Sequence, residues 1–140
     1  MGVELVETDP VTHDRMMAVV QVLVHYSTLV MGDALRRTGL DLARSLTFTS
    51  PIYRLELAFV GRLFTQDPDL YAEIEMSNPY GHEVRQCFQD AATSLRETIA
   101  SGDRAAFREA FGQVRDYFQD FGDEAMAVSD WIIDTLVARP

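Results

Sequence analysis

Two arginines, Arg54 and Arg62, are the residues whose type and spacing best suit a chemical role. Helix positions four apart stack on one another, so both arginines and Ala58 lie on one stripe, with Gly61 beside it. The small side chains leave the helix backbone open between two guanidiniums separated by about 12 Å of helix rise. Because arginine binds carboxylates through a bidentate fork, this stripe predicts a site for a small dianion.

The alternative interpretation is that both arginines form ion pairs with acidic side chains on a solvated surface. The chain has 22 acidic and 12 basic residues, the latter all arginine, and its formal net charge is −10. Such a surface repels nucleic acid and anionic membranes, so neither is an expected partner. A negatively charged chain also repels anionic ligands, so such a ligand needs a local cluster of positive charge, which two neighbouring arginines would supply.

The helix that carries these arginines has a defined start. Ser50 is a good N-cap, and Pro51 suits the first helical position, where no backbone N–H is needed. The same cap-plus-proline signal recurs along the chain and indicates an all-α fold; it occurs at Asp9, Ser50, Asp67 and Asn78. The predicted helices cover residues 10–38, 41–48, 51–64, 68–77 and 79–100.

The first predicted helix is apolar nearly all round between Met16 and Met31. Such a helix must be covered on most sides, and a chain of 140 residues has little material to do so. The chain is therefore predicted to form a homodimer that buries this helix. His25 lies within the apolar run. It is either a buried neutral histidine bonded to Gln21, Ser27 or a carbonyl, or a polar group that faces a ligand pocket.

The C-terminal part is predicted to form a helical hairpin. Helix 79–100 is broken at Gly102, and Asp103 caps the next helix. From Phe107 to Ile132, apolar residues alternate at spacings of four and three, which is the heptad pattern of a coiled coil over about 26 residues. This seam predicts core packing against the preceding helix and against a partner chain.

Other chemical motifs are missing from the sequence. Cys87 is the single cysteine, and the three histidines lack the spacing to acids that a zinc site needs. No Gly-x-Gly-x-x-Gly turn is present, so we assign no catalytic, cofactor-binding or metal-binding residue within this chain. No uninterrupted apolar run reaches about 18 residues and no leader is recognisable, which predicts a soluble, cytoplasmic protein without a membrane partner.

The block from Ser50 to Ile74 resembles the C-terminal domain of prephenate dehydrogenase. The likeness extends upstream to His13-Asp14-Arg15 and to the segment from Gln21 to His25. The sequence is most similar to the bifunctional chorismate mutase–prephenate dehydrogenases. The resemblance implies an all-helical domain that dimerises and forms one wall of the active site.

The resemblance also implies roles for three residues. Arg62 matches an arginine that holds a substrate carboxylate, Arg54 lies nearby, and His25 faces the substrate pocket. The complete enzyme would oxidise and decarboxylate prephenate to 4-hydroxyphenylpyruvate with NAD, in tyrosine biosynthesis. In this family the catalytic histidine and the glycine-rich turn for NAD belong to a nucleotide-binding domain that this chain lacks. The chain alone is therefore predicted to be inactive.

The resemblance suggests a boundary near the start of the chain. Residues 1–9 are interpreted as the remnant of a junction with a missing N-terminal nucleotide-binding domain, and residues 10–140 as the helical dimerisation and substrate-wall domain. Residues 2–7 alternate weakly and predict a short strand.

Three rival interpretations stay open at this point. One is the same domain of a 4-amino-4-deoxyprephenate dehydrogenase. Another is a non-catalytic module that binds tyrosine or a related aromatic acid. The third is a purely structural dimerisation domain in which salt bridges occupy both arginines.

Overall fold

A computed structural model describes residues 5–138, and the regular secondary structure of this part is entirely helical, so the prediction of an all-α fold is confirmed. Residues 5–7 have no regular structure, and residues 2–4 of the predicted strand lie outside the described part. The elements are α1 (Pro10–Met17), a π-helical segment (Ala18–Leu23), α2 (Val24–Arg37), α3 (Leu42–Ser45), a 3-10 turn (Leu46–Phe48), α4 (Pro51–Phe64), α5 (Pro68–Ser77), α6 (Gly81–Ser101), α7 (Arg104–Tyr117), a second 3-10 turn (Gln119–Phe121) and α8 (Gly122–Val137).

The first three elements form one uninterrupted helix, Pro10–Arg37. Asp9 caps its start, where the carboxylate accepts hydrogen bonds from the N–H groups of Val11 and Thr12. Gly39 follows its end with φ of 68°, a left-handed conformation that glycine adopts without steric cost. The predicted helix is confirmed. Its π-helical segment was not predicted, because residue spacing shows which side chains share a face and not which carbonyl each N–H reaches.

This first helix is long and apolar enough to cross a membrane by length and composition alone. It contains no uninterrupted apolar run of about 18 residues, because polar residues such as Gln21 and His25 interrupt the sequence. Many of its apolar side chains, such as Val20 at 55% and Val24 at 53%, are exposed in the single chain. A core helix that a partner chain covers meets the same criterion, so the need for such a partner remains our prediction.

The chain divides into two compact units, and the first consists of the described part of Met1–Leu40 together with Ala58–Asp90. Its most buried side chains are Ala18 and Val22 of the π-helical segment, each 1% exposed. The π-helical segment therefore lies at the centre of this small core.

Asn78 and Tyr80 hold the start of α6 against the first helix. Asn78 Nδ2 donates to the carbonyl oxygen of Asp14 at 2.9 Å, and Asn78 Oδ1 accepts from the N–H of Tyr80 at 2.8 Å. The guanidinium of Arg15 lies 4.2 Å from the centroid of the Tyr80 ring, a cation–π contact. Because Asn78 caps a turn and not the helix itself, α6 begins at Gly81 and not at residue 79.

The second unit consists of Asp41–Leu57 and the described part of Ala91–Pro140. Ser50 Oγ accepts a hydrogen bond from the N–H of Tyr53 at 3.1 Å, which is the predicted cap of α4. The Tyr53 hydroxyl donates to Ser45 Oγ at 2.9 Å and ties the start of α4 to α3. This unit therefore fixes the beginning of the helix on which both arginines lie.

The C-terminal seam is not carried by one continuous helix. α7 ends at Tyr117, and the 3-10 turn Gln119–Phe121 separates it from α8. The heptad pattern continues through this turn because it depends only on the spacing of apolar side chains. The helix ends because the backbone hydrogen bonding changes at Phe118, and side-chain spacing does not reveal that change. A Cβ added to Gly122 would meet nothing within 4 Å, so no close helix contact requires a glycine at this position in the single chain.

Candidate functional site

Arg62 lies on α4 in the first unit and is exposed. Among the described residues, no carboxylate lies within 4.0 Å of its guanidinium. A Cβ added to the preceding Gly61 would meet nothing within 4 Å, so the helix surface beside the arginine is open. Arg62 therefore has no ion pair within the described residues, and its binding of an anionic ligand stays a prediction.

Arg54 lies on the same helix but belongs to the second unit. It is exposed and, in residues 5–138, also has no carboxylate at salt-bridge distance. It lines a shallow cavity of about 280 Å³ together with Ser50, Leu136 and other residues of that unit. The geometry does not favour internal ion pairs for either arginine. A hollow that both guanidiniums share remains a prediction.

His25 is half-buried on α2. Its Nδ1 is buried and has no hydrogen-bond partner in the part of the chain that the structure describes. Nδ1 thus forms none of the three alternative bonds, to Gln21, Ser27 or a carbonyl, among these residues, and Ser27 Oγ donates to the carbonyl of Val24 at 2.8 Å. The imidazole instead packs edge-on against Tyr71, with ring centroids 5.1 Å apart. A buried nitrogen without a partner costs free energy, which makes it a candidate for contact with a ligand.

A cavity of about 590 Å³ in the first unit was not predicted from the sequence. Its volume falls within the range of about 300–1,000 Å³ that is typical of small-molecule sites. The apolar part of its lining comes from Leu29, Leu63, Phe64, Pro68, Ala72 and Met76. The polar part comes from Tyr26, Gln66, Tyr71, Glu75 and Arg85. Tyr71 separates this cavity from His25, and the three predicted site residues do not line it.

Glu75 and Arg85 form a partly buried ion pair at this cavity. Arg85 Nη1 donates to the Glu75 carbonyl oxygen at 2.7 Å and to Glu75 Oε2 at 3.3 Å. The Glu75 side chain is 12% exposed and that of Arg85 is 28% exposed. Glu75 Oε1 is buried and has no hydrogen-bond partner among the described residues. A Cβ on Gly81 would lie 2.9 Å from Arg85 Nη1, which is too close for an undisturbed contact. A glycine at this position therefore leaves room for the arginine side chain to reach Glu75 on α5.

Burial raises the pKa of the Glu75 carboxyl above its ordinary value, and the nearby Arg85 guanidinium only partly opposes this effect. A raised pKa means that the folded chain holds the proton to higher pH than the unfolded chain does. Stability linked to this group is therefore greatest below the unfolded pKa and falls as the pH rises through the folded pKa.

Glu75→Gln should flatten this part of the pH dependence. The amide carries no charge, so the loss of stability on raising the pH from about 4 towards neutral should be smaller than in the parent chain. Urea unfolding at fixed protein concentration across this range measures the slope. The exposed Glu97→Gln is the matched control and should keep the parental slope. An identical slope in both variants would contradict a role for Glu75.

The sequence did contain a signal for this cavity. One stripe of α5 carries a glutamate among apolar and aromatic residues at helical spacing: Pro68, Tyr71, Ala72, Glu75 and Met76. An acid on such a stripe indicates a buried carboxylate that needs a partner. Spacing could not identify that partner, because Arg85 lies beyond the break at residues 78–80.

Comparison with known proteins gives consistent matches. A protein-family profile described as "Prephenate dehydrogenase, dimerization domain" matches residues 9–113. The T-protein of Haemophilus influenzae is 37% identical over 128 residues, which are 91% of this chain and 34% of that protein. The probable arogenate/prephenate dehydrogenase of Methanocaldococcus jannaschii is 33% identical over 124 residues, 89% of this chain and 27% of that protein.

A more distant match is the 4-amino-4-deoxyprephenate dehydrogenase of Streptomyces pristinaespiralis. It is 25% identical over 123 residues, which are 88% of this chain and 42% of that protein. The chain thus spans between 27% and 42% of the length of these three relatives.

Proposed function

Because the chain belongs to the prephenate dehydrogenase dimerization-domain family, we propose that residues 10–140 are the dimerisation and substrate-wall domain of a prephenate dehydrogenase. The complete cytoplasmic enzyme oxidises and decarboxylates prephenate to 4-hydroxyphenylpyruvate in tyrosine biosynthesis. The observation that carries the proposal is the exposed guanidinium of Arg62, which has no carboxylate partner in residues 5–138 and lies beside the open helix surface at Gly61.

The proposed site contributes binding and orientation. Arg62 holds one carboxylate of prephenate through a bidentate contact, and Arg54 supplies a second positive charge on the same helix. His25 offers a ring nitrogen that lacks a partner within the described residues. In a chain with a net charge of −10, the exposed guanidinium of Arg62 supplies local positive charge for an anionic substrate.

Prephenate is a better proposal than its amino analogue. The relative whose name specifies the amino compound is 25% identical, whereas the T-protein and the probable arogenate/prephenate dehydrogenase are 37% and 33% identical. The unpaired guanidiniums also argue against a purely structural domain, since salt bridges of the described residues do not consume them.

The regular secondary structure of residues 5–138 is helical, whereas the glycine-rich turn that holds a dinucleotide pyrophosphate lies between a strand and a helix. We propose that a nucleotide-binding domain joined through residues 1–9 holds NAD, which accepts the hydride when bound.

The 140-residue chain should not turn over prephenate with NAD. It lacks a recognisable dinucleotide site, so a hydride acceptor cannot be held next to the substrate wall. Absorbance at the NADH maximum, followed at high enzyme concentration, measures this. The complete enzyme of the same source is the positive control, and NADH formation by the purified chain above the blank would contradict the proposal.

We also propose that the chain is a homodimer. Apolar residues on the first helix and on α7 are exposed in the single chain, for example Met16 at 56% and Phe111 at 64%. Large apolar side chains that are exposed in the single chain are typical of an obligate interface. The family description as a dimerization domain supports the same assignment.

Sedimentation should give a mass about twice the 15.8 kDa of the chain. Phe111→Asp should weaken the dimer at least about tenfold, because a charge would enter an apolar interface. The control is Gln113→Asp, an exposed polar position of α7 that faces away from Phe111 on the helix. A monomeric parent chain, or equal weakening by both variants, would contradict the assignment.

A further inference from the structure

We propose that the 590 Å³ cavity of the first unit binds a small apolar monocarboxylate, with the guanidinium of Arg85 as the partner of the carboxylate group. This site is separate from the proposed prephenate site, because Arg62, Arg54 and His25 do not line the cavity. The inference does not depend on the proposed function.

The shape and lining of the cavity favour a compact apolar body. Leu29, Phe64 and Met76 contribute to a mainly hydrophobic lining, and the ring of Tyr71 adds an aromatic surface. Burial of apolar area is the main source of affinity in such a pocket, while a few polar groups fix the orientation of the ligand. A single aromatic ring or a short aliphatic chain suits this volume.

Arg85 is the group that selects an anion. Arginine has five N–H donors, and only those on Nη1 have acceptors among the described residues, both of them on Glu75. Its Nε and Nη2 have no hydrogen-bond partner among the described residues, and the side chain, which lines the cavity, is 28% exposed. Two parallel N–H groups of this kind match the two oxygens of a carboxylate.

Glu75 occupies only one end of this guanidinium. Only one of its carboxylate oxygens contacts Arg85, at 3.3 Å, and the other is buried without a partner in residues 5–138. Burial raises the pKa of this carboxyl, and the Arg85 guanidinium opposes that rise only in part. A single guanidinium suits one carboxylate and therefore favours a monocarboxylate.

The inference can be tested on the 140-residue chain with two probes of the same shape. We expect 3-phenylpropanoate to bind in calorimetry and the neutral 3-phenylpropanol to bind at least about tenfold more weakly, since only the acid can pair with Arg85. Arg85→Lys keeps a charge but loses the fork and should weaken binding of the acid. Ala72→Phe should abolish binding of both probes by filling the cavity.

Arg62→Ala separates this site from the proposed substrate site. Binding of 3-phenylpropanoate should be unchanged in this variant. The proposal is overturned if Arg62→Ala abolishes binding while Arg85→Lys does not, because the acid would then occupy the α4 stripe. It is also overturned if the folded parent chain, checked by circular dichroism, binds neither probe, as expected if a second copy fills the cavity. Either result leaves the proposed role of Arg62 in the complete enzyme open to its own test.

Discussion

Replacing Arg62 with alanine in the complete enzyme should raise KM for prephenate by about tenfold or more. A charge-assisted contact to a carboxylate contributes roughly 1.5–3 kcal/mol, and about 1.4 kcal/mol corresponds to a factor of ten. The guanidinium has no carboxylate partner among residues 5–138, so the substitution should not break an ion pair within them. The loss should therefore appear in substrate binding and not in folding.

The split between KM and kcat tests the role of Arg62 further. A residue that holds the substrate equally in the ground state and the transition state changes KM and leaves kcat nearly unchanged. Arg62→Lys retains the charge without the bidentate fork and should have an intermediate KM. Arg96→Ala removes an exposed arginine on α6 and should leave both constants unchanged. A parental KM in Arg62→Ala would remove this residue from the site.

The helix starts were predictable because their signals are local. Asp9 and Ser50 accept hydrogen bonds from N–H groups two or three residues ahead, as expected of N-caps. Pro68 begins α5, and residue 77 ends it, as predicted. An N-cap and the N–H groups that it binds lie within one helical turn, so the local sequence is enough to predict where these helices begin.

Features that depend on backbone register were not predictable. The π-helical segment and the 3-10 turn after Phe118 leave the hydrophobic spacing almost unchanged, yet both change which carbonyl each N–H reaches. The heptad rule therefore predicted one seam where the structure has two helices. Partners that lie beyond a break, such as Arg85 for Glu75, were also out of reach.

The candidate site was predicted in part. The type and spacing of the arginines on α4 indicated two accessible guanidiniums, and both are exposed. For His25, two interpretations were open, and the buried Nδ1 has no hydrogen-bond partner within the described residues, so the role of this histidine stays a prediction. The cavity was not predicted, because the prediction rested on the spacing of arginines. The relevant signal was Glu75, a glutamate on an apolar stripe of α5.

Leu63→Ala should destabilise the fold by about 2 kcal/mol or more. Leu63 is 7% exposed and is among the few buried hydrophobic residues of the described chain. Leucine-to-alanine substitutions in cores cost about 2–5 kcal/mol, and the lower part of this range applies because one side of Leu63 borders the cavity. Chemical unfolding at fixed protein concentration measures the change, since dimer stability depends on concentration.

Leu40→Ala is the matched control, because this leucine lies outside the helices and is 60% exposed. It should change the free energy of unfolding by about 0.5 kcal/mol or less. Equal effects of both leucines would contradict the assignment of Leu63 to the core. Leu63 follows Arg62 directly on α4. Comparing Leu63→Ala with Arg62→Ala therefore distinguishes a residue that stabilises the fold from one that binds the substrate. Arg62→Ala should raise KM with little loss of stability, whereas Leu63→Ala should lower stability whatever it does to KM.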